Sequence, residues 1–125
     1  MRRFALGALF AACVLAGCGK DTPTYSLAKS SECLRQDGVA LGGQLDFVAT
    51  TATGGAVRVR LRDNSLTLVF GQTQSDADNI DAAYRRFHSS NVGIDDVLRR
   101  QGNAVMLWHQ HPSDEDLSTI TGCLK

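Results

Sequence analysis

Between Ala56 and Phe70 the chain alternates in a way that a β-sheet accommodates and a helix does not. Val57, Val59 and Leu61 interleave with Arg58, Arg60 and Arg62, and Ser65 to Phe70 follows across Asp63-Asn64. Successive side chains on a strand point to opposite faces, so this pattern makes one apolar face and one cationic face. With Asp63-Asn64 as a two-residue turn, Leu61 pairs with Leu66, Val59 with Leu68 and Val57 with Phe70, all on the apolar face. Arg62, Arg60 and Arg58 then stand opposite Ser65, Thr67 and Val69. A slip of one residue would mix the two faces, so the periodicity selects a hairpin.

Helical patterns surround it. Ser26 is a plausible N-cap for a helix to Gln36, with Gly38 as its stop. Ser75 opens a second helix with Asp78 three residues on, and Ile80, Ala83, Tyr84 and Phe87 form its sheet-facing stripe. Ile94, Val97 and Leu98 predict a shorter helix to about Arg100, ending at Gly102. Asn103 to His109 is apolar on both faces, as suits a strand lying between two others. Pro112 and the trio Asp114, Glu115 and Asp116 begin a last helix with Leu117, Ile120, Thr121 and Leu124 inward. Val39 to Gly55, interrupted by Gly42-Gly43 and Thr53-Gly54-Gly55, shows no clear period. The expected fold is a small two-layer α+β sandwich, a β-hairpin plus a further strand with helices packed mainly on one face. The last strand is expected to run parallel to its predecessor through a right-handed crossover.

The amino-terminal segment predicts export. Arg2 and Arg3 lead into an apolar stretch from Phe4 to Leu15, the order of a secretory signal. At about a dozen residues it is too short for a bilayer, which takes about twenty. The stretch ends in Leu15-Ala16-Gly17-Cys18, and this resembles the lipobox of bacterial lipoproteins. The resemblance covers residues 1–18 only, and no family is recognised for the rest. It implies that residues 1–17 are a lipoprotein signal peptide and that the thiol of Cys18 receives a diacylglycerol. Residues 18–24, with Pro23, then form a lipidated tether, and 25–125 a single α+β domain. The alternative is an ordinary signal peptide cut near Ala16 or Gly17, leaving Cys18 free. The implied location is the cell envelope: the outer membrane if the host has one, otherwise the outer face of the cytoplasmic membrane.

Cysteine usage follows from that resemblance. Of the four cysteines, Cys13 leaves with the signal and Cys18 takes the lipid, so Cys33 and Cys123 remain as an even pair. An oxidising compartment favours a disulfide between them. Two buried free thiols are the alternative.

The chain carries thirteen basic and thirteen acidic residues, and loss of Arg2 and Arg3 leaves the mature protein slightly acidic. That balance excludes a general nucleic-acid binder. Arg58, Arg60 and Arg62, with Trp108, are candidate contacts for an anion or a partner, since guanidinium forks hold carboxylates and phosphates. The plainer reading is a solvated outer face that discourages edge-to-edge pairing. His109 and His111 would share a face if the strand continued so far, a weak metal candidate. No G-x-S-x-G, H-E-x-x-H or C-x-x-C pattern occurs, so no catalytic residue and no cofactor are expected. The sequence thus points to a lipid-anchored envelope protein, non-enzymatic, serving as a binding or structural accessory module for an envelope protein or polymer. The alternative is a small metal-binding protein or enzyme centred on His109 and His111.

Overall fold

The computed structural model describes residues 22–88 and 93–125. The signal segment, the lipobox and Cys18 lie outside the described residues. In chain order the elements are α1 (Leu27–Gln36), β1 (Ala40–Leu41), α2 (Phe47–Thr50), β2 (Ala56–Arg60), β3 (Ser65–Phe70), α3 (Gln74–Phe87), α4 (Ile94–Val97), β4 (Leu98–Gln101), β5 (Ala104–Trp108) and α5 (Asp114–Gly122). The strands form one five-stranded sheet in the order β1-β2-β3-β5-β4, and each neighbouring pair is antiparallel.

The α+β class holds, with five strands rather than three and with helices on both faces of the sheet rather than mainly one. On one face Leu66, Leu68, Phe70, Met106 and Trp108 pack with Leu34 of α1 and Ile120, Cys123 and Leu124 from the α5 region. On the other, Val69, Val105 and Leu98 pack with Ala49 of α2 and Ala77, Ile80 and Tyr84 of α3. β3 is accordingly buried from Leu66 to Phe70, and each large apolar side chain fully buried contributes about 1.5–3 kcal/mol.

The β2-β3 hairpin forms, but two residues away from the expected register. Val59 faces Leu66, Val57 faces Leu68, Arg60 faces Ser65 and Arg58 faces Thr67. A shift of two keeps every side chain on its face, which is why the alternation alone left it undetermined. Turn chemistry decides it. A two-residue turn of the favoured type places both central residues at positive φ, and no described non-glycine residue has positive φ. The chain instead closes a longer loop in which the Leu61 N–H donates to the Asn64 carbonyl at 2.8 Å. Asn64 is held from its other side, its Nδ2 donating to the Gln110 carbonyl at 3.0 Å.

The predicted helix through Arg100 ends at Val97, and the chain continues as β4. β4 and β5 make a tight hairpin, Gln101 facing Ala104 across Gly102-Asn103. Gly102 adopts φ +56 there, and a Cβ would stand 2.5 Å from the Pro23 carbonyl oxygen. The crossover from β3 therefore lands on β4, which runs parallel to β3 with β5 between them. β5 itself is antiparallel to β3, not parallel as expected, and its position between two strands explains its two apolar faces.

Cap chemistry fixes the helix starts. Ser26, Asp46, Thr73 and Ser113 each accept a backbone N–H from three residues on, satisfying a donor that the helix leaves unpaired. Thr73, not Ser75, caps α3. Cys33 and Cys123 are bonded, with Cα atoms 5.3 Å apart across a sequence separation of 90, within the span that disulfide geometry accepts. Beside them the Ser26 N–H donates to the Lys125 carbonyl at 2.7 Å, and the Lys125 N–H donates to Ser30 Oγ at 3.1 Å. The two ends of the domain are thus joined covalently and by hydrogen bonds.

Candidate functional site

Strand pairing lines up Arg58, Thr67, Leu107 and Leu98 in one row across the sheet, on the face covered by α2 and α3. The adjacent row, through Val69 and Val105, is sealed by Ala77 and Ile80. Over the Arg58 row the cover thins to the short helices α2 and α4 and the last turn of α3. A groove of about 670 Å³ remains there, with Arg58, Thr67 and Leu107 in its floor and Val48, Ile94 and Val97 around it; Trp108 borders it at the end of β5. Phe47 and Phe87 also line it and are 80% and 71% exposed. Phe87, expected to pack on the sheet, instead stands at the rim with the Arg86 guanidinium 5.7 Å from its ring centre.

Arg58 lies along the sheet. Its Nη1 donates to Thr67 Oγ1 at 2.9 Å and its Nη2 to Ser65 Oγ at 2.8 Å. Among the described residues no carboxylate comes within ion-pair distance of it. The predicted arginine stripe is thereby divided: Arg58 lies in the groove, whereas Arg60 is exposed at the end of β2 and Arg62 in the following loop, and Trp108, paired with Leu66, packs its side chain into the core on the opposite face. Trp108 is buried at 2% exposure, and its indole N–H has no acceptor among the described residues.

The acidic member of the groove is already engaged. Asp46 accepts the Ala49 N–H at 2.9 Å and the Tyr84 hydroxyl at 2.9 Å and 3.1 Å on its two oxygens. Burial pushes the Tyr84 phenol well above its ordinary value, and the Asp46 charge and hydrogen bond add to the shift. Tyr84 therefore stays a neutral donor at any physiological pH. No sequence pattern singled out Asp46, Phe47 or the Tyr84 contact; an aspartate three residues before Ala49 in the unpatterned 39–55 segment was their only trace, as a possible N-cap.

His109 and His111 do not come together as strand neighbours, because β5 ends at Trp108. His109 lines the groove, while His111 places Nδ1 2.6 Å from Asp96 Oδ1 of α4. Among the described residues three metal-ligating side chains gather only at Cys33, Asp37 and Cys123, and the two cysteines there are bonded to each other. Comparison with family models, with curated proteins and with solved structures finds no match to this chain.

Proposed function

We propose that this is a lipid-anchored protein of the bacterial cell envelope whose domain is a non-enzymatic binding module, and that the groove over Arg58 receives a small apolar ligand. The groove with two exposed phenylalanines at its rim carries this reading. Exposed apolar side chains gathered on one concave site, rather than scattered singly, mark binding surfaces, and ligand pockets fall between about 300 and 1,000 Å³ with apolar walls and a few polar groups. The anchor rests on Leu15-Ala16-Gly17-Cys18. No described helix is long and apolar enough to cross a membrane, so the lipid on Cys18 is the membrane attachment put forward. The Cys33–Cys123 bond suits an oxidising compartment.

The backbone amides of Phe47 and Arg58 border the groove, so their shifts in a proton–nitrogen correlation spectrum report occupancy. Titration of the full chain in phosphatidylcholine nanodiscs with 1-octanol should give a saturable change. Phe47→Ser with Phe87→Ser should weaken binding roughly tenfold through lost apolar contact. A response identical in the double variant would remove the groove from this reading.

A further inference from the structure

The ligand class follows from which hydrogen-bonding capacity in the groove is unspent, and the inference rests on the groove being the binding site. A guanidinium has five N–H donors, of which Arg58 commits two to the hydroxyls of Thr67 and Ser65. Asp46, by contrast, is occupied by Ala49 and Tyr84. The floor is therefore short of acceptors, in an apolar setting where an unpaired cation is costly.

We propose that the groove binds an apolar monocarboxylate, its carboxylate on the free N–H groups of Arg58 and its apolar body against Leu107, Ile94 and Phe47. Arg58 is the one arginine or lysine in the lining and has no carboxylate partner among the described residues, so it can pair one carboxylate. A phosphate dianion would place its second charge near Asp46 without a second guanidinium. The planar fork of Arg58 also suits the planar carboxylate, which takes two parallel N–H donations.

The test compares octanoate with 1-octanol, equal in chain length and different in the head group, using the Phe47 and Arg58 amide shifts of the full chain in phosphatidylcholine nanodiscs. Octanoate should bind roughly tenfold more tightly than octanol, the scale of one charge-assisted hydrogen bond. Arg58→Gln should abolish that preference. Arg58→Lys, which keeps the charge and loses the fork, should retain part of it, and it carries the test if Arg58→Gln fails to fold. Equal affinity for the two ligands in the unaltered chain, or a preference unchanged in the variants, overturns the carboxylate assignment while the groove stands. No saturable response to either ligand overturns both readings.

Discussion

The hydroxyl of Tyr84 bridges both carboxylate oxygens of Asp46, 2.9 Å and 3.1 Å away, and so fastens the last turns of α3 to the cap of α2. Besides the burial of Ala49 in the core, Asp46 holds the short helix α2 as both its N-cap and its polar tie to α3. The contact thus helps to place Phe47 at the groove rim.

Tyr84→Phe should lower stability by about 1 kcal/mol at neutral pH, the usual scale of such a bond when the acceptor still reaches water. The pH dependence has a definite sign. The folded phenol is raised above its ordinary value of 10.0, so below that value both folded and unfolded chains hold the proton and the contribution is complete. Above it the unfolded chain ionises first, and stability falls as pH rises. Urea midpoints of both proteins at about pH 8 and about pH 10.5 should show the gap between them narrowing at the higher pH. A gap that widens would contradict the buried, neutral phenol.

The Cys33–Cys123 bond closes a loop with a separation of 90 residues. Chain entropy assigns such a link up to roughly 4–5 kcal/mol, acting on the unfolded state. The double variant Cys33→Ser, Cys123→Ser should lose a large part of this in denaturant titrations. Thiol alkylation of the untreated protein should label neither cysteine until a reductant is added.

Asn103, 1% exposed, ties the segment before α1 to the sheet. Its Oδ1 accepts the Tyr25 N–H at 2.6 Å, and its Nδ2 donates to the carbonyls of Tyr25 and Gly71 at 2.9 Å and 2.7 Å. Asn103→Ala leaves a buried donor and buried carbonyls unpaired, so it should cost about 3 kcal/mol. Gly102→Ala should also destabilise, because its positive φ and the nearby Pro23 carbonyl leave no room for a Cβ. Thermal melts of the two variants check both; an unchanged midpoint for Asn103→Ala would show that water replaces these bonds.

The anchor has its own check. The protein recovered from producing cells should begin at Cys18 and carry the mass of a diacylglycerol on that residue. Cys18→Ser should leave the chain unlipidated. A mature protein with an unmodified residue 18 would reduce the lipobox resemblance to an ordinary export signal.

The strand and helix content was legible in the sequence wherever one face is buried and the other is not. Val57 and Val59 against Arg58 and Arg60 declared β2, and Ile80 with Tyr84 declared α3. The hairpin register was not legible, since alternation is unchanged by a shift of two and the choice lay in backbone dihedrals around Asp63 and Asn64. β4 was obscured because Ile94, Val97 and Leu98 also fit a helical stripe; Gly102-Asn103, a dipeptide that suits a two-residue hairpin, was the competing signal. Of the candidate site, Arg58 and Trp108 were visible by residue type. The separation of Arg58 from Arg60 and Arg62 was not, because it comes from where β2 ends, and that of Trp108 from Arg58 was not, because it comes from the strand register. The exposure of Phe47 and Phe87 arises from which rows of the sheet α3 covers, a tertiary fact that no local pattern carries.

The groove is tested most directly by where a ligand is felt. In a proton–nitrogen correlation spectrum of the full chain, the amides of Phe47, Arg58 and Leu107 should move together as octanoate is added, while the Asn103 side-chain amide at the far end of the sheet stays fixed. Shifts confined to the α1 and α5 face, or none at saturating ligand, would contradict it.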